Sequence, residues 1–323
     1  MNLGIIIVSY NTRELLRGCL HSVDAEQARS PELTLSTVVV DNASADGSAA
    51  MVARDFPHIP LIASPENLGF ARGNNVGFRH LGFGDTPAPT LPDAVLLLNP
   101  DTELHPRALA TLTEFLAQNP DVGGCCPRLN YGDGSFQHSA FRFPGLTQLY
   151  LDLHPIPRLM ESGLNGRYPR RRYEAGQPFA IDFALGAALM VRKEAILEAG
   201  LLDENYFMYA EEMDWQKRLQ QKGWPMVCVP QARVTHFEGQ SARQFRRAMT
   251  VALWRSRLRY YGKHHPAWKQ KLERKLLERA LRGRIMQAHA GLGAGERNAA
   301  ELQDQISAYQ EILELLEKAT FTS

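Results

Sequence analysis

Three short apolar runs, each ending on polar residues, constrain this chain more than any other feature. They are Leu3–Ser9 (LGIIIVS), Thr37–Asp41 (TVVVD) and Ala94–Asn99 (AVLLLN). Unbroken β-branched and leucine runs of this length suit strands buried on both faces, as in parallel sheets. Between them, Thr12–Val23, with Thr12 placed to cap, and Asp46–Phe56 read as helices. Alternating strand and helix predicts an α/β fold with right-handed crossovers. Such sheets bind ligands at the carboxyl ends of their strands. The polar residues there are Tyr10 and Asn11, Asp41 and Asn42, and Asn99 and Asp101, which this fold would gather at one crevice.

A chain of 323 residues holds one large domain or two modest ones. Its formal net charge of +1 points to no polyanionic partner, and nucleic acid is not expected. Cys19, Cys125, Cys126 and Cys228 lack metal-ligand spacing and a dense disulfide pattern, which suits a reducing cytosol. No run reaches the roughly 18–20 apolar residues that span a bilayer, so a cytosolic location with peripheral membrane contact is expected.

Gly82–Pro92 reads as a surface loop, and the irregular stretch Pro127–Gln177 as a binding loop or mobile cover. Regular pattern returns over Phe179–Val191, in a helix around Glu211–Lys222 and in a strand over Met226–Pro230. Between Arg243 and Arg284 stand 14 basic residues against two acidic ones, a charge of +12. Phe245, Met249, Leu253 and Trp254 recur there at helical spacing, as do Leu272, Leu276 and Leu277. Gly291–Gly295 reads as a hinge, and Glu296–Lys318 as a last helix with Leu302, Ile306, Tyr309, Ile312, Leu313 and Leu316 as its apolar stripe.

Five constellations carry candidate chemistry. Asp41, closing VVVDNAS, can accept a hydrogen bond from a nucleobase or ribose, or can cap a turn. In NLGFARGNNVGF the glycines permit close backbone approach and Arg72 can meet a phosphate, although a tight loop entering a helix explains the segment equally well. In LLLNPDTEL, Asp101 can bind a hard divalent cation bridging two phosphates, or can cap the helix around Pro106–Gln118. Glu211, Glu212 and Asp214 crowd near a helix start, where repulsion and burial raise carboxylate pKa values and suit a general base. The same acids also favour the helix dipole. His236, in RVTHFEG, can serve as a second metal ligand or as a structural histidine.

Taken together, IIIVSYN, VVVDNASADGS, ENLGFARGNNVG, LLLNPDTEL, GAALMVRKEAI and FMYAEEMDWQKRLQQKGW resemble the family 2 glycosyltransferases of the GT-A fold, rhamnosyltransferase-like branch, over roughly residues 3–240. The resemblance implies a mixed, mainly parallel sheet flanked by helices over 1–240, with a nucleotide-sugar-binding half (1–105) and an acceptor and catalytic half (106–240). A basic helical C-terminal extension would follow over 241–323. It places Tyr10 and Asp41 at the base and Arg72, Asn99 and Asp101 at the donor. Asp101, with His236, would hold a divalent cation, Mn²⁺ or Mg²⁺. Glu212 would be the catalytic base, with Glu211 able to serve, and Asp214 and Arg218 would shape the acceptor side. Asn99 stands where the family's Asp-x-Asp motif has its first carboxylate, and Glu212 where it has a shorter Asp.

The implied reaction is an inverting displacement that moves a sugar from a nucleotide-diphosphate donor, by analogy dTDP-L-rhamnose, to a saccharide or lipid-linked acceptor in cell-surface polysaccharide synthesis. The basic segment 243–284, with Trp254, Tyr260, Tyr261 and Trp268, would attract an anionic membrane surface, and Leu302–Leu316 would offer a homo-oligomer contact. Two other readings stay open. A nucleotidyltransferase would need a glycine- and lysine-rich N-terminal signature, which IIIVSYNTRE lacks. An inactive nucleotide-sugar-binding or membrane scaffold is compatible with Asn99 and Glu212.

Overall fold

The computed structural model describes residues 1–237, 246–293 and 299–318. Arg243, Phe245, Glu238 and Gly239 of RVTHFEG, Ala294 and Gly295 of the expected hinge, and Glu296 lie outside the described residues.

The strands are β1 (Asn2–Ser9), β2 (Thr34–Asp41), β3 (Leu61–Ala63), β4 (Ala94–Leu98), β5 (Thr102–Leu104), β6 (Gly124–Asn130), β7 (Phe136–Gln137), β8 (Ala140–Phe141), β9 (Phe179–Ile181), β10 (Phe183–Ala184), β11 (Ala188–Arg192) and β12 (Met226–His236). The helices are α1 (Arg13–Arg29), α2 (Ser48–Asp55), α3 (Gly69–His80), α4 (Ala108–Gln118), α5 (Leu146–Leu153), α6 (Pro157–Met160), α7 (Arg170–Glu174), α8 (Lys193–Ala199), α9 (Glu211–Gln221), α10 (Arg246–His264), α11 (Ala267–Gly293) and α12 (Ala299–Lys318).

The main sheet runs β3-β2-β1-β4-β11-β6-β12-β5. β1 pairs parallel with both β2 and β4, and β2 with β3, as the apolar runs require. The chain order reverses direction between β1 and β4, so the crevice at their carboxyl ends is the natural ligand site of this sheet. Beyond β4 the sheet becomes mixed: β11 runs antiparallel to β4 and β6, while β12 pairs parallel with β6 and antiparallel with β5.

Each interior residue of β1 meets a helix layer. Leu3, Ile5 and Ile7 join the core shared with Leu16, Cys19, Leu20 and Val23 of α1. On the other face α3 lies against Ile6 and Val8 through its glycines. A Cβ at Gly77 would stand 2.4 Å from Ile6 Cγ2, and one at Gly73 would stand 2.8 Å from Val8 Cγ1. At Gly69, φ is +73° and a Cβ would stand 2.1 Å from the carbonyl oxygen of Phe207. The glycines expected to approach a ligand therefore seat α3 on the sheet and on the segment leading to α9.

Several sequence-based boundaries change for identifiable reasons. α1 is longer than Thr12–Val23, and Thr12 stands at its start without a side-chain capping bond, because its hydroxyl is 3.0 Å from Ser9 Oγ. Asp101 does not cap α4. The buried Glu26 of α1 does, accepting from the backbone of Arg107 at 2.9 Å and Leu109 at 3.1 Å. β12 continues through Pro230 to His236, with a register shift between Val229 and Arg233 that accommodates the proline. The region 127–177 is no long loop; it holds β7, β8, three short helices and part of β6.

The chain clusters into two units, 1–143 with 167–207 and 211–241, and 144–166 with 208–210 and 242–323. The second unit thus takes in α5 and α6, which the sequence reading left in the irregular stretch. Its core joins Leu149 and Leu153 to Trp254, Leu258, Leu277, Leu281, Ile312 and Leu316. Trp254, Tyr260 and Tyr261 are buried, so of the four aromatic residues expected at a membrane surface only Trp268 is exposed, at 65 %. Of the α12 stripe, Ile306, Ile312 and Leu316 are likewise buried. Gly291–Gly293 close α11 instead of forming a hinge.

Candidate active site

The carboxyl ends of β1, β2 and β4 carry the first cluster. Two loops are tied together there. Asn11 N–H donates to Ser44 Oγ at 2.9 Å, Ala45 N–H to Asn11 Oδ1 at 2.8 Å, and Arg13 N–H to Asp46 Oδ2 at 2.8 Å. Asn11 (φ 53°) and Ala43 (φ 62°) hold left-handed backbone without being glycine, a strain of roughly 1–3 kcal/mol each that clusters at functional sites. Tyr10, next to Asn11, is partly exposed.

Asp41 is buried at the end of β2. Its Oδ2 accepts from Ser44 N–H at 3.0 Å, while Oδ1 is buried with no hydrogen-bond partner. Asn42 is alike: its Nδ2 donates to Gly69 O at 3.0 Å and its Oδ1 has no partner. Buried acceptors are almost always satisfied in folded proteins. Two adjacent orphans at a strand end leave acceptors open to a bound molecule or to water.

Asp101 follows β4 in a turn held by Thr102 Oγ1 donating to Asn99 O at 2.7 Å. The pairing of β5 with the end of β12 sets Thr102 opposite His236, and Phe237 N–H donates to Asp101 O at 2.8 Å. His236 Nε2 then lies 3.3 Å from Asp101 Oδ1, with both side chains buried. The Asp101 oxygen has no hydrogen bond of proper geometry, so proximity rather than a formed bond describes the pair. His236 Nδ1 is 3.2 Å from Gln137 Oε1. With Nδ1 donating to Gln137, the Nε2 lone pair would face a cation shared with Asp101, the tautomer a metal-bound histidine needs. Donor atoms at this separation fit two neighbouring positions around one Mn²⁺ or Mg²⁺ ion, whose other positions go to water and phosphate oxygens. Among the described residues no group of three or more ligating side chains occurs. Gln137 was missed in the sequence, where nothing links a two-residue strand to a histidine 99 positions later.

The acid cluster is fixed by α9. Asp214 is fully buried and accepts from Arg218 Nε at 3.0 Å, while the same guanidinium donates to the carbonyls of Ala199 and Leu201. Trp215 Nε1 donates to Gly200 O at 2.7 Å, and Gln216 exchanges two hydrogen bonds with the backbone of Ala184. Tyr209 (φ 72°) and Ala210 (φ 64°) precede Glu211 in left-handed backbone. Glu211 is buried, and Glu212 stands beside Gly186, where a Cβ would lie 3.5 Å from Glu212 Cγ. Burial pushes the Glu212 carboxyl above its ordinary pKa, against the opposing pull of backbone N–H groups of Glu212, Met213 and Gly186.

Backbone links connect these clusters. Asn99 N–H donates to Ala187 O at 2.9 Å, and Ala187 follows the Gly186 that supports Glu212. Arg72 is exposed on α3 and donates to Glu66 Oε1 at 3.4 Å.

A family model described as "Glycosyl transferase family 2" matches residues 4–198. The chain is 28% identical over 268 residues, 82% of its length and 86% of the relative's, to an N-acetylglucosaminyl-diphospho-decaprenol L-rhamnosyltransferase of Mycobacterium tuberculosis. It is 21% identical over 243 residues, 75% of its length and 85% of the relative's, to rhamnosyltransferase WbbL of Escherichia coli K12. Among solved structures it resembles mannosyltransferase PcManGT from Pyrobaculum calidifontis in complex with GDP-Man and Mn²⁺. The TM-score is 0.55 at 17% identity, covering 98% of this chain and 86% of that one.

Proposed function

The chain belongs to glycosyl transferase family 2 and has a fold of the GT-A type, and from that membership we propose that it moves a sugar from a nucleotide-diphosphate donor to an acceptor hydroxyl with inversion, in polysaccharide synthesis. The observation that carries this reading is the pair of orphaned acceptors, Asp41 Oδ1 and Asn42 Oδ1, at the strand ends where a nucleotide would bring its N–H and O–H donors. Tyr10 offers the adjoining ring face for the base, and Arg72 a cation for the diphosphate. The relatives named as rhamnosyltransferases favour L-rhamnose as the sugar and a lipid-linked saccharide as the acceptor.

Glu212 accepts the proton of the acceptor hydroxyl as that oxygen attacks the anomeric carbon, and the bond to the leaving diphosphate breaks. Its raised pKa makes it a stronger base than an ordinary carboxylate once ionised. Glu211 lies next to it as the second acid. Asp214 and Arg218 act on the acceptor side by anchoring the helix that carries Glu212, so that positioning is set before substrate arrives. Asp101 and His236 would hold the divalent cation, oriented by Gln137. When bound, the ion offsets the negative charge that develops on the diphosphate.

Thermal-shift titration with UDP, dTDP, GDP and CDP, each with and without Mn²⁺, tests the donor site. A ligand that binds only the native state raises the melting temperature. A Mn²⁺-dependent rise with one or two nucleotides is expected, lost in Asp41→Ala. No rise with any nucleotide contradicts the reading.

The helical unit is assigned to the membrane surface at the cytoplasmic side. Trp268, Leu272 and Met286 are exposed on α11 beside Lys271, Lys275, Arg279 and Arg282. Each cation near an anionic surface contributes about 1 kcal/mol. Sedimentation with anionic vesicles is expected to carry the protein down, and less so after Trp268→Ala. Equal sedimentation with neutral vesicles counts against it. Among the described residues no helix is long and apolar enough to cross a membrane.

A further inference from the structure

The face of β6, β7 and β12 turned away from His236 concentrates positive charge that sugar transfer as described does not use. Strand alternation fixes which residues it holds. Arg233 pairs with Arg128, and Asn130 pairs with both Thr235 and Phe136, so these residues share one face. Leu129, Gln137, Val234 and His236 occupy the other. The site is therefore distinct from the Asp101–His236 pair.

Phe136 is the floor of this cluster. The guanidinium carbons of Arg128 and Arg170 each stand 5.5 Å from its ring centroid, and Tyr173 meets its edge at 4.9 Å between centroids. Arg170 is matched by Glu174, Nε to Oε1 at 2.7 Å. Among the described residues Arg128 and Arg233 have no carboxylate within 4.0 Å, and Arg128 Nε is buried with no hydrogen-bond partner. Burial, followed by the neighbouring charges of Arg233 and Arg170 and opposed by that of Glu174, depresses the Arg128 guanidinium below its ordinary pKa. Like charges paired across strands are destabilising, and a buried donor left unmade costs more than a made bond returns. Both costs vanish when an oxyanion accepts from these groups.

We propose that the face carrying Arg128, Arg170 and Arg233 is an oxyanion site that takes a phosphate or diphosphate group. Guanidinium forks match the oxygen pairs of phosphate, and the aromatic floor holds their planes in place. The proposal stands whether or not the transfer reading does. The phosphate has two sources of the same chemistry, a soluble diphosphate or one borne on a lipid.

Calorimetric titration of the intact protein with inorganic pyrophosphate, in chelator and low salt, tests it. Arg233→Gln, at an exposed position, is expected to weaken binding roughly tenfold, and Arg128→Gln with Arg233→Gln roughly a hundredfold. Without ligand Arg233→Gln should melt no lower than the parent, since a like-charge neighbour is gone; should the double variant fail to fold, the single one decides. A second arm uses phosphatidic acid vesicles. Vesicle binding that falls with Arg233→Gln assigns a lipid-borne phosphate, and loss of pyrophosphate binding alone assigns a soluble one; either upholds the site. Equal pyrophosphate affinity in parent and Arg233→Gln, or no binding by the parent, overturns it.

Discussion

Glu212→Gln is expected to lower sugar transfer by about 10²–10⁴-fold and, at neutral pH, to raise the melting temperature of the protein. The first follows from its role as general base, and the second from the desolvation that lifts the Glu212 pKa above its ordinary value. Below the ordinary carboxylate pKa, folded and unfolded chains both carry the proton and Glu212 has no differential effect. As pH rises, the unfolded chain releases its proton first while the folded one keeps it, so stability falls until the folded group ionises. Glutamine has no charge to desolvate and escapes that loss. The stability gain should therefore be absent in acid and complete above the folded pKa. Melting curves of both proteins across pH check this, and parallel rate measurements should show an acidic limb above the ordinary carboxylate range in the parent. A variant that loses stability at every pH would show Glu212 to be a structural residue.

Asp101→Ala and His236→Ala are each expected to reduce transfer by roughly a hundredfold or more, the scale of several kcal/mol of charge stabilisation from a bound cation. The double variant should be little worse than the worse single one, because either substitution already disables the shared ion. A double-mutant cycle on kcat/KM measures this coupling. Metal titration should show the same loss of Mn²⁺ response in both single variants. If the 3.3 Å approach of the two side chains were a structural ion pair alone, both variants would melt lower yet keep a metal-stimulated rate.

The parallel half of the sheet was legible because its strands are buried on both faces, which leaves unbroken apolar runs at β1, β2 and β4. β3 and β5 were missed because three residues show no period. β12 was cut short at Pro230 because a proline ordinarily ends a strand, and here a register shift absorbs it. The pairing of His236 with Asp101 therefore came from the resemblance alone, and the full strand, reaching Thr102, supplies its structural basis. The glycines of α3 left two readings open, since a sequence does not say whether a missing side chain makes room for a phosphate or for Ile6. Likewise Asp214 and Arg218 are four apart on a helix, a spacing that names them as partners, yet only the fold shows the guanidinium reaching the carbonyls of Ala199 and Leu201. The C-terminal aromatics followed helical spacing, which identifies a buried face and an exposed one without saying which is which.

The most direct test of the central claim is the anomeric configuration of the product. The nucleotide sugar selected by the thermal-shift panel would be incubated with the protein, Mn²⁺ and a lipid-linked saccharide, and the new glycosidic linkage read by NMR. A single displacement with Glu212 as base predicts a configuration opposite to that of the donor, formed about 10²–10⁴-fold more slowly by Glu212→Gln. Retention of the donor's configuration, or a donor that binds and stays intact with every acceptor, would contradict it.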